Sequence, residues 1–173
     1  DAELDVLANI LSRGKNSRLY QKLVYELQIA QDVRASQGSS KLSSQFQIVA
    51  TARSGHTLEE LKKVIQQEID KIKNEAPMQR ELQRTVNQYE ASFLDGLEKP
   101  GGFGGKANQL NEYFYYAGNP DYANEDLSRY KALSVNDIQT AAQTYLRDNG
   151  RVILSIVPKG KTDLAVQPKA ESK

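Results

Sequence analysis

The one histidine of the 173-residue chain, His56, stands in the run Gly55-His56-Thr57-Leu58-Glu59-Glu60. That run is one residue away from H-x-x-E-H, an inverted zinc-site pattern in which two histidines on one helix face hold the metal. The glutamate between them then acts as general base on the bound water. Here Glu60 takes the place of the second histidine and could in principle offer a carboxylate ligand. A helix-capping reading competes with that one. Thr57 is a good N-cap and Glu60 its N3 partner, so the two side chains would serve each other's backbone donors. Glu59 and Glu60 would also face the positive end of the helix dipole. With no second histidine and no cysteine in the chain, zinc would have little else to hold it. The capping reading is preferred.

A second stretch, Gly101, Gly102, Phe103, Gly104, Gly105 and Lys106, invites a phosphate-loop reading. A Walker loop would need glycine where Pro100 stands, Ser or Thr where Ala107 stands, and a strand in front. The pattern in front is helical. The stretch is expected to be a flexible connection opening the next helix, with glycines that permit positive φ and close approach to a neighbouring domain. The run Tyr113, Phe114, Tyr115 and Tyr116, with Tyr122, could stack nucleobases. No basic groove accompanies it, so core or interface packing is the better account. The acid pairs Glu59–Glu60 and Glu125–Asp126 fall in first helical turns, and a serine triad lacks a free histidine.

The spacing of apolar residues predicts the elements that position these side chains. Leu4, Leu7, Ala8, Ile10 and Leu11 predict a helix over residues 1–13, stopped by Gly14. Asn16 or Ser17 would cap a second helix over 16–27 carrying Leu19, Tyr20, Leu23 and Leu27. The period then drops to two. Residues 28–36 read as a strand, and 43–53 more clearly so, because Phe46, Ile48, Ala50 and Ala52 alternate with Gln45, Gln47, Val49 and Thr51. The polar link between them predicts an antiparallel hairpin. Helices follow over 57–76, 78–98, 108–117, 124–133 and 135–146, the last opened by Ser134 with Asp137 three residues on. The run RVILSIV at 151–157, apolar on both faces, predicts an interior strand covered on both sides. The expected fold is α+β, an antiparallel or mixed sheet of three to four strands covered by helices. Residues 1–158 would form one domain and 159–173 a polar tail or linker.

Composition narrows the function classes. The chain is 39% hydrophobic and 26% charged, enough apolar material for a core. Its 23 basic and 22 acidic residues give a net charge of +1. That leaves no electrostatic case for a nucleic-acid partner or an anionic membrane surface. No apolar run approaches the roughly 20 residues of a membrane span. The absence of cysteine excludes disulfides and thiol chemistry and leaves the compartment open.

Four stretches carry a resemblance: ILSRGKNSRLYQKLVYELQIAQDVRAS, FQIVATARSGHTLEEL, GLEKPGGFGGKANQLNEYFYYAGNPDY and RVILSIVP. Together they cover nearly the whole chain, and SRLYQKL and GGFGGKANQL are the more specific. They resemble the second domain of one half of the pitrilysin/insulinase family of zinc metallopeptidases, which includes the processing peptidases. The resemblance implies a clamshell whose halves each carry two related α+β domains, with the metal motif in the first domain of the catalytic half. Zinc would then belong to the parent protein, and this fragment would hold no catalytic, cofactor or metal residue. Its expected role is the non-metal domain of a zinc-dependent endopeptidase, walling the peptide-binding chamber and supporting the metal-bearing domain. Expected partners are that preceding metal-binding domain, a second peptidase half and peptide substrates. The alternative is a proteolytically inactive family member acting as an assembly or scaffold subunit.

In the family's non-catalytic half, an arginine and a tyrosine seven residues apart orient substrate. The matching positions are Val24 and Gln31, a departure that favours the catalytic half or a half that has lost its function. Candidate substrate or domain contacts are Arg18 and Tyr20 of SRLY, together with Gly101, Gly102, Phe103, Gly104, Gly105 and Lys106. Leu19 and Leu23, beside the first two, also allow a helix-docking role. The family's domain opens with a strand before its first helix, whereas this sequence starts at Asp1 in a helical pattern, as an excised fragment or processed chain would. A missing strand would leave a sheet edge exposed, prone to self-association or rapid exchange. If substrate touches the domain, an edge at residues 44–52 is the expected surface.

Overall fold

A computed structural model describes residues 1–167. The elements run α1 (Ala2–Ser12), a π-helix (Tyr20–Glu26), β1 (Ala30–Gly38), β2 (Gln45–Ala52), α2 (Leu58–Asn74), α3 (Gln79–Glu98), α4 (Lys106–Ala117), α5 (Ala123–Lys131) and α6 (Val135–Tyr145). The organising element is α1. Ala2, Val6, Leu7, Ala8, Ile10 and Leu11 are all buried, so the helix is apolar around most of its circumference. Such a helix must be enclosed, and α1 packs against β1, α3, α5 and α6. Leu19 and Leu23 of the π-helix region, Leu61 and Ile72 of α2, Leu82 of α3 and Ile138 of α6 complete the core.

The second helical segment is wider than the regular helix that its spacing predicts. The Leu27 N–H reaches the Lys22 carbonyl five residues back, and the Ile29 N–H reaches Leu23. A π-turn holds an extra residue. Leu19 and Leu23 therefore stay fully buried while Leu27 turns off the stripe and is exposed. Gln28 then takes a left-handed φ of 54°, which turns the chain into β1.

The hairpin forms as the alternation predicts. β1 and β2 pair antiparallel, with Ala35 opposite Ile48 and an irregularity between Ala30 and Asp32 that leaves Gln31 unpaired. Phe46, Ile48, Ala50 and Ala52 pack on the core while Gln45, Gln47, Val49 and Thr51 face solvent. One edge of the sheet is closed by α1, because the Ser12 Oγ accepts the Ala35 N–H at 2.6 Å and donates to the Ala35 carbonyl at 3.3 Å.

The sheet of three to four strands is corrected to two among the described residues. The run 151–157 is the reason. Its exposure alternates as in a strand, but with Val152 at 93%, Leu154 at 81% and Ile156 at 85% it is open to solvent rather than interior. It makes no backbone–backbone hydrogen bond among the described residues. An apolar β-branched run signals a tendency toward strand, but a ladder also needs a strand at hydrogen-bonding distance, and this run bonds to none among the described residues. Of the expected tail 159–173, residues 159–167 form turns and a short 3-10 helix at Thr162–Leu164, exposed except at half-buried Ala165 and Val166, and residues 168–173 lie outside the described part.

Candidate functional site

The geometry at His56 is that of a helix start. The Thr57 Oγ1 accepts the Glu60 N–H at 3.2 Å, while the Glu60 carboxylate accepts the Thr57 N–H at 2.7 Å and its hydroxyl at 3.0 Å. The backbone hydrogen bond from Thr57, reinforced by its hydroxyl, holds the Glu60 carboxyl below its ordinary range. The His56 Nδ1 lies 3.7 Å from the same carboxylate. A metal drawn to His56 would have to take the Glu60 carboxylate from two capping contacts. Among the described residues no group of three His, Asp or Glu side chains converges as a ligand set. The donors of the described residues do not fit zinc.

Arg18 lies in a buried ion pair. Its Nε and Nη2 donate to the two carboxylate oxygens of Glu81, each at 2.9 Å, and the Glu81 carboxylate also accepts the Met78 N–H at 2.8 Å. The side chains are only 14% and 8% exposed. Burial alone would raise the Glu81 carboxyl, but the guanidinium and the Met78 amide outweigh it and hold the group below its ordinary range. The pair pins the start of the π-helix region to the first turn of α3. Tyr20 packs against the edge of the core. Val24 does the same, and Gln31 is exposed at the sheet irregularity.

Gly101 to Lys106 join α3 to α4 in a closed turn. The Lys106 N–H donates to the Lys99 carbonyl at 2.7 Å and Ala107 to Pro100 at 3.4 Å, so carbonyls from the preceding segment take up the first amides of α4. An anion has no free amide cluster there. Gly102 and Gly104 have φ of 83° and 77°. At Gly105 a Cβ would meet the Gly101 carbonyl oxygen at 2.5 Å and that of Lys99 at 2.8 Å. Phe103 at the tip is fully exposed, and Lys106 is exposed beside it. The helix that follows buries no residue and presents Phe114, Tyr115 and Tyr116 to solvent.

Sequence reasoning missed a polar cluster beneath the helices. The Tyr130 hydroxyl donates to Asp5 at 2.6 Å, and its ring stacks on Tyr89 with centroids 3.5 Å apart. The Tyr89 and Tyr113 hydroxyls both donate to Asp126, at 3.1 and 2.9 Å. Burial raises the pKa of all three tyrosines, with the neighbouring carboxylates adding to it. The cluster ties α1, α3, α4 and α5 together. One signal was available: Asp5 stands between Leu4 and Val6 in a largely apolar helix.

A groove of about 980 Å³ opens between β2, α2 and residues 145–155, floored by Ile48, Leu61, Ile65 and Ile69. Its charged lining residues are Asp1, Lys62, Arg147 and Arg151.

Comparison with known proteins gives this geometry a context. A family model described as "Peptidase M16 inactive domain" matches residues 1–89. The fold is similar to that of a protease from Helicobacter pylori, with a TM-score of 0.76 and 23% identity over 86% of this chain and 35% of that one. It is also similar to the inactive peptidase domain of a candidate zinc protease from Bordetella parapertussis, with a TM-score of 0.76 and 20% identity over 87% and 80% of the two chains. A peptidase M16 inactive domain from Pseudomonas fluorescens gives a TM-score of 0.69 and 18% identity over 84% and 34%. The chain thus spans about a third of the Helicobacter pylori and Pseudomonas fluorescens chains. None of the curated proteins matches it in sequence.

Proposed function

The chain belongs to the peptidase M16 inactive-domain family, and from that premise we propose that it serves as the non-metal domain of a zinc-dependent endopeptidase, walling the peptide chamber and bracing the metal-bearing domain. The family match over residues 1–89 is the observation that carries this reading. The donor chemistry supports it, because Glu60 is engaged with Thr57 in a helix cap beside His56, and no group of three ligating side chains converges among the described residues. The parent's zinc, its bound water and the general base would come from the neighbour. Exposed Phe103 and the aromatic outer face of α4 supply apolar surface for that neighbour, and Val24 and Gln31 favour the catalytic half.

Complementation tests the reading. The 173-residue chain is mixed with the parent's metal-bearing domain expressed as a separate polypeptide, and cleavage of an unstructured peptide is followed. The expected result is no cleavage by this chain alone and chelator-sensitive cleavage by the mixture, above that of the metal domain by itself. Zinc-dependent cleavage by this chain alone would overturn the reading, as would a metal domain indifferent to its presence. A mixture that assembles but cleaves nothing would favour the scaffold role.

A further inference from the structure

The sequence holds ten asparagines, and only Asn149 is followed by glycine. Seven of the others lie inside α-helices, where the backbone fixes the dihedral that a side chain must turn to reach the next amide. Asn119 precedes Pro120, which has no N–H. Asn16 precedes Ser17, whose side chain is fully buried and whose amide is bonded to the Gly14 carbonyl at 3.1 Å. Asn149 stands apart from all of them.

It sits in a single 3-10 turn, Asp148–Gly150, that joins α6 to the 151–157 run and has no side-chain cap. Asn149 and Gly150 are both exposed. The Gly150 amide is held by one long hydrogen bond, 3.3 Å to the Arg147 carbonyl. A Cβ built on Gly150 would meet nothing within 4 Å, so no neighbouring atom crowds the glycine. A turn this short and this exposed opens at little cost.

We propose that Asn149–Gly150 is a site of spontaneous covalent modification through a succinimide, with water as the only co-reactant. The Gly150 nitrogen gives up its proton to water and attacks Cγ, the side-chain carbonyl carbon of Asn149. The Cγ–Nδ2 bond breaks, and that nitrogen takes up a proton and leaves as ammonia. Water then opens the five-membered ring at either carbonyl. One opening leaves aspartate; the other leaves isoaspartate, which adds a methylene to the main chain. Nothing is oxidised or reduced. Either product places a new carboxylate beside Arg151, which reaches Asp148 at 3.4 Å and Gln66 of α2. The new charge competes for that guanidinium and loosens its tie to α2. The inference does not rest on the chamber role proposed above.

Peptide mass spectrometry tests it. The 173-residue chain is incubated at neutral pH and physiological temperature, then cut after lysine. The peptide 132–159 carries both Asn149 and Asn136, which lies in α6 and serves as the internal control. A gain of about 1 Da, located by fragment ions, is expected at Asn149 about tenfold faster than at Asn136. Isoaspartate should outweigh aspartate among the products. Gly150→Ala should keep the circular-dichroism spectrum and slow the conversion about tenfold, because the added methyl crowds the attacking nitrogen. An Asn149 that stays intact in the folded chain overturns the proposal, whether or not the guanidinium-unfolded chain converts. Equal rates at the two asparagines overturn it as well, as do equal rates in wild type and Gly150→Ala. Aspartate without isoaspartate would show direct hydrolysis and rule out the ring.

Discussion

At the scale of residues, the pair Arg18–Glu81 is the sharpest test of how the π-helix region is held. Both side chains are buried, so removing one leaves an uncompensated charge. Arg18→Met should cost about 3 kcal/mol or more in urea denaturation, while Arg18→Met with Glu81→Leu should recover most of that loss. Equal losses in the single and double variants would show that packing, not charge, dominates. Asp5 gives a pH signature. Burial pushes its carboxyl above the ordinary 3.8, against the pull of the Tyr130 hydroxyl. The folded state therefore binds the proton more tightly than the unfolded chain does. The contribution is present below 3.8 and is lost as pH rises through the higher folded value. Asp5→Asn should gain stability relative to wild type as pH climbs through that window, and a difference independent of pH would contradict the assignment. The cap at Thr57 was legible in the sequence because its partners are three residues apart. Arg18 and Glu81 are 63 residues apart, and each reads in isolation as an ordinary solvated charge on a helix.

At the scale of elements, local chemistry decides what forms. Thr57 and Ser134 each open a helix through a reciprocal cap, with Glu60 and Asp137 as partners. Thr57→Ala should cost about 1 kcal/mol, whereas His56→Ala should stay within about 0.5 kcal/mol of wild type in the same denaturation series. The α3–α4 connection is held by close backbone approach. Gly105→Ala should cost about 2 kcal/mol through overpacking against two carbonyls, while Gly101→Ala meets nothing within 4 Å and should be nearly neutral. Comparable losses at both glycines would mean that flexibility, not space, is the constraint. The hairpin, its face and six helices were legible from periodicity, with ends shifted by one or two residues. The π-widening was not, since Leu19 and Leu23 mark the same stripe in either helix. RVILSIV misled for a physical reason: apolar β-branched residues report a tendency toward strand, and whether a ladder exists depends on segments far away in the chain.

At the scale of the whole molecule, one apolar helix, α1, is enclosed by a two-stranded sheet and by helices, and much of the remaining apolar surface faces outward. Phe103, the aromatic face of α4 and the 151–157 ridge are exposed. A lone protein seldom leaves so much apolar surface uncovered. The role proposed above would place neighbouring domains against that surface. The motif that most suggested catalysis, His56 with Glu59 and Glu60, is a helix cap. Equilibrium dialysis of the 173-residue chain against zinc tests that most directly. The expected result is no stoichiometric zinc held with a Kd below about 1 μM. One zinc per chain at that affinity, lost in His56→Ala, would contradict it.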